Sequence, residues 1–96
     1  MKNLKELHNF NKDVSAVSLF ANELGTATAI QLKQNGILKE HITKSPALLI
    51  CVTGLVTYKD EKEKEMNLES GDYIAITPNV KHWLYATVES QLVLLK

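Results

Sequence analysis

From Asn35-Gly36 to the last residue, turn-forming residues interrupt the chain every few positions, and that spacing leaves no room for a long helix. The breaks fall at Lys44-Ser45-Pro46, Gly54, Ser70-Gly71-Asp72, Pro78-Asn79 and Glu89-Ser90. Between them lie short segments rich in β-branched, aromatic and leucine side chains: 37–43, 47–53, 55–59, 65–68, 73–76, 82–87 and 91–95. Upstream, 14–21 is β-branched and aromatic, and 26–34 partly alternates apolar with polar, as a half-buried strand does. Many short strands at this spacing predict an all-β antiparallel sandwich or barrel rather than alternating βαβ units. Leu4, Leu7 and Phe10 recur every third residue, which predicts a short amphipathic helix over 3–10, too short to stand alone. The expected organisation is an N-terminal helical segment, 1–13, and one barrel domain, 14–96.

Composition narrows the function classes. With 96 residues, 45% of them hydrophobic and 23% charged, the chain suits one folded domain. Eleven basic residues balance 11 acidic ones, and every basic residue is a lysine. Such a chain has no net field toward nucleic acid or an anionic membrane, and no guanidinium to clamp a phosphate or a guanine edge. Nucleic acid and membrane are therefore not expected partners. No apolar stretch is long enough to span a bilayer or resembles a signal sequence, and the lone Cys51 has no partner for an internal disulfide. A cytoplasmic location is the expectation. The run Asp60–Glu65 alternates in sign and suits a solvated hairpin tip whose charges discourage strand pairing between molecules.

The most informative stretch is "GDYIAITPNVKH", residues 71–82: a tight turn, a strand, a Pro-Asn turn, and His82 opening another strand. Here the chain resembles the cupin superfamily, small double-stranded β-helix (jelly-roll) barrels of the RmlC-like kind, described by two patterns. In the second, G-x5-P-x-G-x2-H-x3-N, Gly71 and His82 fall at the expected glycine and histidine. Thr77 stands at the proline with Pro78 beside it, Asn79 at the inner glycine and Ala86 at the final asparagine. Asparagine tolerates a left-handed backbone, so the turn is expected to survive. In the first, G-x5-H-x-H-x3–4-E-x6-G, His41 matches the first histidine with Gly36 one residue too close, Thr43 stands at the second histidine, and Ala47 at the glutamate, counted back from Gly54.

The resemblance implies a barrel site of three histidines and one carboxylate, of which this chain keeps His41 and His82. Strand alternation groups His41 with Thr43, Leu49 with Cys51 and Ala47, and His82 with Leu84, so His41, Thr43, Leu49, Cys51, His82 and Leu84 are the expected cavity residues. Trp83 and Tyr85 fall on the opposite face, to cover an apolar surface between sheet and helix or at a dimer contact. Two neutral imidazoles without a carboxylate coordinate a dication poorly. No cofactor is therefore favoured. A divalent transition metal, if held, would use His41 and His82, with Cys51 as a replacement ligand. His8 is expected at the surface, and Asp72 to bond local backbone in the Gly71 turn.

The expected function is a non-enzymatic or metal-site-depleted cupin barrel that binds a small organic ligand and pairs as a homodimer. The alternative is a metal-dependent cupin enzyme, of oxygenase or isomerase type, working with a reduced ligand set on His41 and His82. No catalytic residue is assigned: the chain has neither a nucleophile elbow nor a phosphate-cradling glycine loop.

Overall fold

Alternation along each strand sends every second side chain inward, and two antiparallel sheets close on the row so formed. The computed structural model describes residues 1–9 and 11–96. Nine strands follow one another: β1 (Val14–Asn22), β2 (Gly25–Leu32), β3 (Ile37–His41), β4 (Ala47–Thr53), β5 (Leu55–Asp60), β6 (Glu65–Glu69), β7 (Tyr73–Ile76), β8 (His82–Ala86) and β9 (Ser90–Leu95). They form a five-stranded sheet, ordered β1-β2-β9-β4-β7, and a four-stranded sheet, ordered β3-β8-β5-β6. Consecutive strands β3 to β9 mostly alternate between the sheets, which is how a double-stranded β-helix winds. Among the described residues no helix is long and apolar enough to cross a membrane.

Between the sheets, Ile30, Leu32, Leu49, Val56, Leu68 and Leu92 form one apolar cluster with Cys51, Tyr58 and Leu84. Each fully buried leucine contributes about 1.5–3 kcal/mol relative to exposure. The inward rows follow the strand register: Ile30 opposite Leu92, Leu92 opposite Cys51, and Val56 opposite both Leu68 and Ala86.

The N-terminal expectation needs correction. In place of a two-turn amphipathic helix there is a single 3-10 turn, Leu4–Leu7, capped by the Asn3 side chain, which accepts from the Lys5 amide at 3.0 Å. Phe10, the third residue of the apolar pattern, lies outside the described residues. The turn buries none of its own residues, and the chain is already extended at His8. Its anchor is instead His8, 8% exposed, whose Nδ1 lies 2.8 Å from Ser15 Oγ on β1. A histidine expected at the surface thus holds the segment to the sheet through a polar bond, because leucine spacing over a single turn cannot form an apolar stripe.

Two further boundaries shift. β3 ends at His41 rather than Thr43, since its register with β8 breaks between Leu38 and His41, and the Thr43 carbonyl accepts from the Asn79 amide at 2.8 Å instead of a ladder partner. At the charged tip, Glu61–Glu65 are exposed as expected, whereas Asp60 is 8% exposed and forms the last inward position of β5. Its Oδ1 accepts from the Lys62 and Lys64 amides at 2.8 and 3.1 Å, closing the turn.

The turn framework is otherwise as the sequence implies. Asn79, at the inner-glycine position, has φ 64°, and Gly54 has φ 111°. Gly54 is also a close approach: a Cβ there would lie 2.1 Å from Ser90 Oγ, which itself accepts from the Leu55 amide. Gly71 has φ 93° with open space around it. Gly71→Ala is expected to lower the unfolding free energy by about 1 kcal/mol through backbone strain alone. Gly54→Ala adds a steric clash and is expected to lower it by about 3 kcal/mol or more. Urea titration of both variants, with equal losses, would contradict this account of the Gly54 turn.

Candidate functional site

The site lies at the end of the four-stranded sheet, where three strands bring polar residues into one row. His41 on β3 is the register partner of His82 on β8, and His82 is the partner of Asp60 on β5. The His41 and His82 rings meet edge to face, centroids 4.1 Å apart and planes at 61°. Tyr58 stacks on the other side of His82, centroids 5.7 Å apart at 21°. Its hydroxyl donates to Asp60 Oδ2 at 3.2 Å.

Both histidines are oriented by their own strands. His41 Nδ1 lies 3.1 Å from the Lys39 carbonyl, and His82 Nδ1 lies 3.1 Å from the Val80 carbonyl. A carbonyl only accepts, so each Nδ1 carries the proton, and in the neutral ring each Nε2 is left as the acceptor. His82 is 1% exposed. Burial pushes its pKa below the ordinary 6.5 and the nearby His41 adds to this, outweighing the Val80 carbonyl and Asp60, which act the other way. Burial and Asp60 together push the Tyr58 hydroxyl up to about 12, so it stays a neutral donor.

Of the six residues expected around a cavity, His41 and His82 meet directly. Thr43 lies beyond the end of β3, 4% exposed, and its buried Oγ1 has no hydrogen-bond partner among the described residues. Leu49, Cys51 and Leu84 are in the packed apolar cluster, each 1% exposed or less. His41 lines an open cleft of about 400 Å³ shared with Val14, Ile37, Leu38 and Lys39. Asp72 bonds local backbone as expected: its Oδ2 accepts from the Glu69 amide at 2.8 Å.

The donor set does not fit the four-ligand metal site that the fold implies. Thr43 and Ala47 stand where a histidine and a glutamate would be. Cys51 is a poor substitute, since burial and then Asp72 push its thiol pKa up, and its Sγ donates to the Thr53 carbonyl at 3.7 Å. The nearest carboxylate, Asp60, is occupied by two backbone amides and the Tyr58 hydroxyl. Two neutral imidazoles with no anionic ligand offset little of a dication's charge. Among the described residues no group of three or more His, Cys, Asp and Glu is arranged to hold a metal ion.

Sequence reasoning missed Tyr58 and Asp60. The alternation Val56-Tyr58-Asp60 runs through β5 and puts Asp60 on the inward face, yet the charged run that follows disguises it as part of the tip. Trp83 and Tyr85 do lie on the outer face, but among the described residues no helix covers them: the N-terminal turn packs on β2 in the other sheet. Tyr85 instead donates to Asn35 Oδ1 at 2.8 Å.

Solved structures share this architecture. An RmlC-like cupin protein from Desulfovibrio desulfuricans matches with TM-score 0.84 and 12% identity, over 99% of this chain and 92% of that one. An RmlC-like cupin from Shewanella frigidimarina matches with TM-score 0.79 and 17% identity, over 86% and 74%. KdgF from Halomonas sp. matches with TM-score 0.78 and 13% identity, over 92% and 82%. No family model matches the sequence, and no curated protein matches it. The likeness at these identities is one of fold: the chain has the all-β double-stranded β-helix barrel that these cupin structures share. The fold itself is compatible with many chemistries.

The histidines make stability depend on pH. His82 and His8 both have folded-state pKa values lowered by burial from 6.5. The unfolded chain therefore takes up protons first as pH falls through 6.5, and stability present above that pH is lost below it, down to the folded-state values. Unfolding free energy is expected to fall between pH 7.5 and 5, with a shallower slope in His82→Gln. An identical slope in that variant would contradict the assignment.

Proposed function

We propose that this chain is a metal-site-depleted, non-enzymatic cupin barrel that binds a small neutral organic molecule at the His41–His82 end. The observation that carries this reading is the edge-to-face histidine pair at 4.1 Å, with both Nδ1 atoms tied to backbone and no anionic group free beside it. Two Nε2 acceptors suit a ligand that donates hydrogen bonds, such as a hydroxyl or amide N–H. The buried Thr43 hydroxyl has no partner among the described residues, and an orphan of this kind costs about 1–3 kcal/mol until a ligand or water satisfies it. A neutral buried imidazole and a chain without arginine give an anionic ligand no bidentate counter-charge here. The packed Leu49, Cys51 and Leu84 form the floor beneath, so the ligand sits at the barrel end near the His41 cleft rather than deep between the sheets.

The alternative, a metal-dependent cupin enzyme using His41 and His82, draws on one observation. A ring whose Nδ1 donates to a carbonyl has the orientation that metal-bound histidines take. The missing carboxylate weighs against it.

The binding reading is tested by thermal shift against a panel of small polyols, amides and organic acids. A neutral hydroxylated compound is expected to raise the Tm, and the rise to disappear in His41→Ala. Thr43→Val is expected to behave in two opposite ways, raising the unliganded stability by about 1 kcal/mol while weakening the ligand shift. A panel with no shift, or shifts unchanged in both variants, would refute binding at this end. Shifts produced by divalent ions alone would favour the enzyme reading.

A further inference from the structure

Trp83 and Tyr85 stand on the outer face of β8, an inner strand of the four-stranded sheet with β3 on one side and β5 on the other. Residues two apart on a strand share a face at a separation of about 7 Å, so the two rings form one aromatic row along β8. Register sets their neighbours. Ile37 and Thr57 flank Tyr85, Thr57 continues to Asn67, and Trp83 is followed across the sheet by Lys59 and Glu65. Trp83 borders two clefts. One, of about 350 Å³, lies toward β5 and β6 and is lined by Ile37, Thr57, Lys59, Glu65 and both aromatic residues. The other, of about 480 Å³, lies toward β3, between Trp83, Ile37, Lys39 and Glu40. Tyr85 and Ile37 are exposed and Trp83 is half-buried.

The polar groups around the rings are held in place. The Tyr85 hydroxyl donates to Asn35 Oδ1 and the Thr57 hydroxyl to Asn67 Oδ1, both at 2.8 Å. Each amide is thereby oriented with its NH2 group left to donate elsewhere, and each hydroxyl oxygen still accepts. The charges that line the clefts come in opposite pairs: Lys59 meets Glu65 at 3.2 Å, and Lys39 is followed by Glu40.

We propose that this trough, on the outside of the barrel, binds a neutral oligosaccharide whose sugar rings lie on Trp83 and Tyr85 while their hydroxyls bond to Asn35, Asn67 and the Lys59–Glu65 pair. The make-up of the trough selects that class. A pyranose ring offers slightly positive C–H bonds to the negative face of an aromatic ring, and its hydroxyls project around the edge, each able to donate and accept. Such a ligand needs an apolar bed with a few donors and acceptors at the rim, which is the arrangement here. A nucleic-acid strand also stacks its bases on aromatic rows, but its phosphates need a positive groove, and here two lysines are matched by two glutamates. A proline-rich peptide docks in aromatic grooves through donors to its carbonyls, and the Tyr85 hydroxyl already donates to Asn35. The trough is on the opposite face of β8 from His82, so this site stands or falls separately from the His41–His82 end.

Trp83 is the one tryptophan in the chain, so its emission reports directly on this face. Titration of the full chain with xylotetraose, cellotetraose and maltotetraose to about 10 mM, read by that emission, tests the proposal. At least one of the three is expected to give a saturable change. Tyr85→Ala is expected to raise the Kd by about tenfold, and Asn67→Ala by about threefold. Tyr73→Ala, which removes an exposed aromatic ring from the outer face of the other sheet, is expected to leave it unchanged. Should Tyr85→Ala fail to fold, Asn67→Ala decides alone. No change with any of the three sugars would overturn the proposal, and a change produced only by a polyproline peptide would assign the trough to a peptide instead. Binding unaltered in Tyr85→Ala, or lost in Tyr73→Ala, would overturn it equally.

Discussion

Everything else in this molecule leans on the burial of one set of alternating side chains between two sheets. Leu49, Cys51, Leu92, Val56 and Leu84 fill the interior to the point that each is 1% exposed or less. That packing fixes the strand register, and the register in turn brings His41, His82 and Asp60 into one row. A one-residue slip would move all three to solvent and their apolar neighbours with them. The same packing closes the deep interior, so whatever chemistry the barrel retains is confined to its end.

At that end, orientation and composition point in different directions. Both imidazoles are held through Nδ1, an arrangement that presents Nε2 outward from the strand that carries it. The carboxylate that would make them part of a charged site is absent, and the one nearby, Asp60, is spent on the turn and on Tyr58. Loss of one anionic ligand changes the chemistry more than loss of one histidine, since imidazole contributes no charge to offset a dication. The pair that results is two imidazoles with no free carboxylate beside them.

Much of the fold was legible because it is written in local signals. Turn residues at Asn35-Gly36, Gly54, Gly71 and Pro78-Asn79 fall where the strands end, and Asn79 takes the left-handed backbone its position demands. His41 and His82 were legible from spacing. What sequence could not supply was anything set by register or by contacts distant in the chain. Asp60 faces inward because β5 pairs with β8, a relation invisible in a run of alternating charges. His8 is buried because it meets Ser15, not because of any apolar periodicity. The filling of the interior by Leu49 and Leu84 depends on how the two sheets close, which no single strand encodes.

The central proposal is that the His41–His82 pair, with no free carboxylate beside it, does not hold a metal. Elemental analysis of protein purified without chelator or a metal-binding tag tests it most directly. The account predicts transition metal far below one equivalent per chain, with no change in His41→Ala or His82→Ala. Near-stoichiometric metal that is lost in both variants would contradict it.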